Sequence, residues 1–399
     1  MEYKELRGLV LADLHIGAYS STQTRKEFLF LKDFMKDKYY SFIIIAGDYF
    51  DKKLYSNEEY IVIANELFLF LLSRCDKLRM VAGTKSHDND QYKIFSQYEN
   101  KSVSELLDKE IDFRVINTFE EENLFDELKV LYLPEEYIYD KKEYYKDILN
   151  KENEYDYVFG HGVIQEAMTN AVRATKKDSS KRKKAPVFNT MELSRICKGQ
   201  VYFGHYHINT NINNKVFYVG SYSRYKFGEE EAKGFYEIST NGNHYVNHFV
   251  ENVSTEKYVQ IPYSFNNDIF KSDTDVLSKL KDIIRKKDLS DIDHLKLIFN
   301  IPDEYPNPEF FINLVNDVFR DRDDIKVEIT NGYIVTKRSS TKEEVKEVLN
   351  TYPYIFEKNS TAEENISYFI RDRYNKDVPV ERVKKYLNFK ALDLLNEIK

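Results

Sequence analysis

Apolar residues fall in short continuous runs separated by helix-spaced segments. Leu6–Ala12 reads as a buried strand. Thr24–Lys38 follows with Phe28, Leu31, Phe34 and Met35 at helical spacing. Phe42–Ala46 is apolar without interruption, the mark of a strand covered on both faces. Glu58–Arg74 predicts a second helix and Leu78–Ala82 a third strand. Strand and helix in alternation predict an α/β layered domain whose chemistry lies at the C-terminal ends of the strands.

Beyond Asp112 the runs shorten. Phe113–Asn117 and Lys129–Leu133 are strand candidates, with a Tyr- and Lys-rich helix near Lys141–Lys151. Tyr157–Phe159, Gln200–Phe203 and Val216–Tyr218 are further strands. Gly234–Ile238 and His244–Val250 predict a closing antiparallel pair with Asn241-Gly242 at the turn. After Glu251 a smaller α+β unit is expected: Lys257–Pro262, a helix near Asp275–Lys287, Leu295–Phe299, a helix near Pro308–Phe319, and Ile325–Thr330. Ser339-Ser340-Thr341 opens a tail with helices expected over Lys342–Asn350, Ala362–Tyr374 and Val380–Lys399. Thr341 and Glu344 fit a capping box at the first of them. The expected boundaries are 1–251, 252–338 and 339–399.

Composition narrows the classes. The chain has 399 residues, a formal charge of -8 and a pI near 5.7, which argues against non-specific coating of nucleic acid. A local basic groove stays open, because steering depends on where charge sits. Cys75 and Cys197 are the only cysteines and form no Cys-x-x-Cys pair, so no disulfide framework or zinc knuckle is indicated. No apolar run approaches the roughly 18 residues of a membrane span. The N-terminus lacks a signal pattern. A cytoplasmic protein, of a bacterial cell or a phage-infected host, is the expectation.

Candidate chemistry sits at the ends of the runs. The first ends in Asp13-Leu14-His15; in a strand, residues two apart share a face and can meet one ion. Gly47-Asp48-Tyr49-Phe50-Asp51, Gly83-Thr84-Lys85-Ser86-His87-Asp88, Gly160-His161-Gly162 and Gly204-His205-Tyr206-His207 follow their own runs. Five of the eight histidines lie in these motifs, an enrichment that decides against chance scatter. Mixed carboxylate and imidazole ligands suit a pair of divalent ions, Mn²⁺ first, with Mg²⁺, Fe and Zn as alternatives. Two ions roughly 3.5–4 Å apart can lower the pKa of a bound water and clamp an in-line phosphoryl transition state.

The ordered set resembles the calcineurin-like metallophosphoesterase superfamily and, within it, the SbcD-type nuclease subunit of the DNA double-strand-break repair complex. The motifs span about residues 8–240, and Gly220-Ser221, Phe227-Gly228-Glu229 and Lys233-Gly234-Phe235 are similar to the segment after the last motif of that branch. The resemblance implies a four-layer α/β/β/α sandwich, followed by a small α+β capping domain and a helical tail. It implies that Asp13, His15 and His207 hold one metal, His161 and His205 the other, and that Asp48 bridges them. His87 would contact the scissile phosphate or protonate the leaving oxygen. It further implies a Mn-dependent duplex-end exonuclease, with single-strand endonuclease action, working as a homodimer with an SbcC-type SMC-like ATPase. Apolar faces at Tyr368, Phe369 and Ile370, and at Tyr386, Leu387, Phe389 and Leu392–Leu395, are the tail's candidate partner surface.

One departure stands out. The family pattern Gly-Asn-His-Asp/Glu places an Asn ligand directly before the catalytic His, whereas here Gly83 and His87 are separated by Thr84, Lys85 and Ser86. Thr84 or Ser86 could offer a hydroxyl, the loop a carbonyl, or water the ligand. A hydroxyl is the poorer ligand, so weaker binding of the second metal is expected. The rival readings are a calcineurin-like phosphatase or cyclic-nucleotide phosphodiesterase and a catalytically weak scaffold recruiting the ATPase. Phosphoprotein phosphatases usually carry Arg after the second motif, where this chain has Lys52-Lys53. The basic segment 173–184, with Arg173, Lys176, Lys177, Lys181, Arg182, Lys183 and Lys184, reads as an exposed loop able to contact a DNA backbone near the site. Asp51 is expected to orient a ligand or cap a turn. His244 and His248 read as exposed edge residues, and His294 as structural.

Overall fold

The computed structural model describes residues 5–55, 58–88, 90–99, 112–126, 128–167, 183–264, 292–301 and 325–331, together with 110, 278, 313 and 317. The chain divides into two compact units. The first comprises Met1–Pro262, Lys279–Ile298 and Asn316–Glu328; the second comprises Tyr263–Ser278, Phe299–Val315 and Ile329–Lys399. The expected tail helices lie outside the described residues, as do their apolar faces and the Thr341–Glu344 pair. So do most of 265–291 and 302–324, which hold the two expected helices of the smaller unit, and Arg173, Lys176, Lys177, Lys181 and Arg182.

In chain order the first strands and helices are β1 (Leu6–Leu11), α1 (Ser21–Phe34), β2 (Tyr40–Ala46), α2 (Glu59–Ser73), β3 (Cys75–Val81), α3 (Lys85–Asp88) and β4 (Asp112–Ile116). Next come β5 (Glu120–Phe125), β6 (Leu128–Leu133), α4 (Lys141–Tyr144), α5 (Lys146–Leu149), β7 (Tyr155–His161), β8 (Val163–Ile164) and β9 (Val187–Phe188). They are followed by α6 (Thr190–Ile196), β10 (Cys197–Gly204), β11 (Thr210–Asn211), β12 (Val216–Tyr218), β13 (Gly234–Thr240) and β14 (Tyr245–Glu251). The strands β15 (Tyr258–Ser264), β16 (His294–Ile301) and β17 (Ile325–Asn331) form a small separate sheet.

Two six-stranded sheets carry the first unit, in the orders β14-β13-β1-β2-β3-β4 and β11-β12-β10-β7-β6-β5. In the first sheet β1 to β4 run parallel and β13 closes antiparallel on β1. In the second, β12, β10, β7 and β6 run parallel, with β5 and β11 as antiparallel edges. The class is mixed α/β.

Alternation along the strands builds three apolar clusters. On one face of the first sheet Leu9, Leu11, Ile43 and Ile45 pack with Phe28 and Leu31 of α1 and Leu67, Phe68 and Leu71 of α2. On the other face Val10, Phe42 and Ile44 meet Tyr157, Phe159 and Tyr202 of the second sheet. That sheet's far face, with Val158, Val201 and Phe203, is covered by Ile148 and Leu149 of α5 and Leu193 and Ile196 of α6. Strands buried on both faces explain why β2 reads as an unbroken apolar run.

Some local expectations change. α1 starts three residues before Thr24, because the Ser20 hydroxyl caps it by accepting from Gln23 N at 3.2 Å. The single helix expected over Lys141–Lys151 is two short ones broken at Tyr145. β5 was hidden by its acidic sequence, Glu120-Glu121-Glu122, which suits an edge strand whose alternate residues are exposed. α6 is nucleated by a capping box between Asn189 and Glu192. His244 sits in the turn before β14 and not on the strand, so it does not share a strand face with His248. His294 pairs with Glu256 at 2.6 Å and stacks on Tyr258, as expected of a structural histidine.

Candidate metal centre

The parallel strands of both sheets end in loops that bring the predicted residues together. Asp13, His15 and His207 converge, as do Glu135, His161 and His205; one atom of each lies within 4.8 Å of the others in its group. Asp48 joins Asp13 and His161 in a third group, and His15 and His87 in a fourth. Its Oδ2 stands 3.8 Å from His15 Nε2 and 3.4 Å from His161 Nε2, between the two groups. All of this is inside the first unit, and Asp13, His15, Asp48 and His161 are buried.

The convergence of Asp13 and His15 has a different cause from the one expected. β1 stops at Leu11, so no strand pleat aligns them. Both adopt left-handed backbone, with φ of 48° and 43°, and so do Asp48 at 49° and His205 at 102°. Each such non-glycine residue costs about 1–3 kcal/mol, and the cost persists only where the surroundings hold it. Here they do. Asp13 N donates to Gly47 O at 3.1 Å and His15 N to Asp48 O at 3.0 Å, while His205 N donates to Asp13 Oδ1 at 3.0 Å. The loops after β1 and β2 are tied by their backbones, and the loop after β10 is tied to them through the Asp13 carboxylate.

Two glycines permit the approach. Gly47 has φ of 85°, and a Cβ there would stand 2.0 Å from His161 Nδ1. At Gly83 a Cβ would stand 2.3 Å from both the backbone nitrogen and Oδ1 of Asp48. Asp88 binds the same loops from behind, accepting from Asp48 N at 3.1 Å, Phe50 N at 3.2 Å, Gly83 N at 2.9 Å and the Tyr92 hydroxyl. Burial and the Asp48 charge push its carboxyl up to about 8.

The imidazoles are oriented for lone-pair donation into the cluster. His161 Nδ1 donates to the Ala46 carbonyl at 2.8 Å, and His207 Nδ1 donates to Glu229 at 2.9 Å. Each contact directs the Nε2 atom inward. His15 Nε2 and His207 Nε2 face each other at 3.1 Å, and Asp51 Oδ1 lies 3.5 Å from His15 Nδ1, which forms no hydrogen bond. Burial disfavours a charged His161, but Asp48, Asp13 and Glu135 outweigh it and raise the ring to about 10. The carboxylates of Asp48, Asp13 and Glu135 around one buried ring make the cluster electronegative, which suits a cation. The donor groups could hold a metal ion.

His87 lies on α3 beside the first group, its ring edge-on to His15 with centroids 4.8 Å apart. Its Nδ1 donates to the Asp51 carbonyl at 2.5 Å. The two candidates offered for the missing amide differ in placement. Thr84 N donates to Asp48 Oδ1 at 2.6 Å and its hydroxyl to Glu135 Oε2 at 3.1 Å, whereas Ser86 is exposed on α3. Of the basic segment, Lys183 borders a cavity of about 970 Å³ that Gly83, Glu135 and Tyr139 also line. Lys184 pairs its backbone with Ile138.

Glu135 and Tyr225 were not singled out by the sequence, and Glu229 entered only within Phe227-Gly228-Glu229, with no role assigned to it. Tyr225 donates its hydroxyl to Asp13 O at 2.6 Å. Glu135 carries the signal that picked out Asp13 and Asp48, an acid just past an apolar strand. Pro134, between Leu133 and Glu135, disguised it.

Among the described residues, no helix is long and apolar enough to cross a membrane. No family model matches the sequence, and no curated protein matches it. Solved structures do show likeness; one aligns with 62% of this chain and 99% of its own at 11% identity and a TM-score of 0.36, too distant to bear on function.

Proposed function

We propose that the chain is a two-metal phosphodiesterase of the calcineurin-like metallophosphoesterase class, in the SbcD-type branch, and that it hydrolyses DNA. The observation that carries this reading is the convergence of two ligand groups on Asp48 at the ends of parallel strands from both sheets. Two helix-covered sheets sharing one apolar layer support the α/β/β/α sandwich reading. Mixed carboxylate and imidazole donors favour Mn²⁺.

When bound, the ions would neutralise phosphoryl oxygens and acidify an attacking water. The protein's own residues do the rest. The Asp51 carbonyl holds Nδ1–H of His87, fixing the ring and leaving Nε2 to contact a phosphate or deliver a proton to the leaving oxygen. The loop hydrogen bonds around Asp13, Asp48 and His205 keep the donors in place before substrate arrives. Lys183 supplies positive charge at the rim of the adjoining cavity. Duplex-end exonuclease action with single-strand cleavage, an SbcC-type SMC-like ATPase partner and a homodimer belong to the same proposal and rest on the family resemblance.

The test offers purified protein with Mn²⁺ linear duplex DNA, a small phosphodiester and a phosphopeptide. DNA cleavage that disappears in Asp48→Asn and His87→Ala is expected. Cleavage surviving both substitutions would sink the site assignment. Hydrolysis of the small substrates alone would place the chain with the phosphatases, and inactivity even with an ATPase partner would favour a scaffold.

A further inference from the structure

We infer that Glu135 is a ligand of the second metal ion and fills the position that the family pattern gives to the Asn before the catalytic histidine. The inference rests on the two-metal reading above. Glu135 follows β6 of the second sheet and the Gly83 loop follows β3 of the first, yet the Glu135 backbone N–H donates to the Ala82 carbonyl at 3.2 Å and docks it beside that loop. Its side chain is almost wholly buried although the 970 Å³ cavity opens next to it. Oε2 points at the cluster, 3.3 Å from His205 Nδ1 and 3.8 Å from His161 Nε2. Thr84, which follows Gly83, turns its hydroxyl onto the same oxygen at 3.1 Å, and the Tyr137 hydroxyl donates to Oε1 at 3.2 Å. Thr84 therefore positions the carboxylate and does not itself replace the amide.

A structural ion pair alone does not explain this geometry. His161 already spends its Nδ1–H on the Ala46 carbonyl, and its Nε2 is surrounded by oxygens of three residues: Asp48, Glu135 and Thr84. One ligand atom each of Glu135, His161 and His205 lies within 4.8 Å of the other two, a spacing that a single ion can span. Exchange of a neutral amide for a carboxylate adds one negative charge, so the second ion is held more firmly than the loop sequence suggests. The expectation of a loosely held second ion is thereby reversed.

Mn²⁺ titrations followed by calorimetry and electron paramagnetic resonance test this without any activity readout. The parent protein should bind two ions per chain. Glu135→Ala should weaken one of them by at least about 10-fold, equivalent to 1.4 kcal/mol. Glu135→Gln, which restores an amide, should fall between them, and His207→Ala should weaken the other ion. In crystals of the parent grown with Mn²⁺, an anomalous peak should lie within about 2.3 Å of a Glu135 oxygen. Unchanged binding in a folded Glu135→Ala variant, or a peak away from Glu135, overturns the inference while leaving the two-metal reading intact. No Mn²⁺ binding by the parent overturns both.

Discussion

Two polar clusters lie between or at the ends of the same two sheets, and they are built on opposite principles. Around Arg79, on the inner face of β3, every strong donor meets an acceptor. The guanidinium is 1% exposed and pairs with Glu122 of β5, Nε to Oε2 at 2.9 Å and Nη2 to Oε1 at 2.7 Å. It also reaches the Asp112 carboxylate at 2.8 Å, and the Tyr132 hydroxyl donates to Glu122. At the candidate metal centre the reverse holds. Imidazole nitrogens face each other, carboxylates face carboxylates, and four residues sit in left-handed backbone. The first cluster closes its own charge and hydrogen bonds; the second leaves lone pairs converging on shared space. Burial of charge alone does not mark a functional site. What sets the candidate centre apart is that its acids and imidazoles converge on one another.

The comparison can be broken first at Arg79. Arg79→Met should cost about 2 kcal/mol in urea unfolding, because Glu122 loses its bidentate partner and keeps only the Tyr132 hydroxyl and Arg114. The double variant Arg79→Met, Glu122→Met should recover most of that loss, since well-packed apolar residues replace buried pairs at little cost. Neither variant should alter Mn²⁺ stoichiometry. A change in the number of bound ions would show that the clusters are not independent.

Metal addition should act the other way round. At about 100 times its dissociation constant, Mn²⁺ should stabilise the parent by about 2.7 kcal/mol. The same increment should appear in Arg79→Met and shrink in Asp48→Asn. Thermal unfolding with and without chelator reads both, and an equal increment in Asp48→Asn would remove that residue from the site.

The smallest effect is in acid. Burial would raise the Glu122 carboxyl, but the Arg79 guanidinium outweighs it and holds the group below its ordinary 4.5. The unfolded chain then takes up a proton more readily than the folded one, so this contribution is present above pH 4.5 and is lost as pH falls through the lower folded value. Stability measured with chelator from pH 6 to pH 3 should fall less steeply in the Arg79→Met, Glu122→Met double variant than in the parent. Parallel slopes would mean that the pair contributes nothing to acid sensitivity.

How much of this was legible in the sequence depended on range. Apolar stretches located β1, β2, β3, β7 and β10, although β3, β7 and β10 begin two or three residues before the predicted starts, where polar residues such as Asp76 and Lys198 interrupt the pattern. Edge strand β5 and capped helix α6 escaped, since neither carries such a run. Six candidate ligands were readable as acids and histidines at strand ends. The reason Asp13 and His15 converge was not readable, because it lies in backbone turns held by β2 and β10 and not in a pleat. Glu229 and Glu135 were missed as site residues because the histidines they face are distant in the chain: His207 is 22 positions from Glu229, and His161 and His205 are 26 and 70 from Glu135.

By itself, then, the sequence determined the strand cores, the mixed α/β class and the supply of ligand-competent side chains, all of which follow from local periodicity and residue chemistry. Only the tertiary structure decided which of those side chains meet. Sheet order put β7 beside β10 and β6 beside β7, so His161, His205 and Glu135 reach one place. It also paired Arg79 with Glu122 across the two sheets and withdrew that pair from chemistry. Local pattern fixes what a residue can do, but the charges and lone pairs around it are set by neighbours distant in the chain.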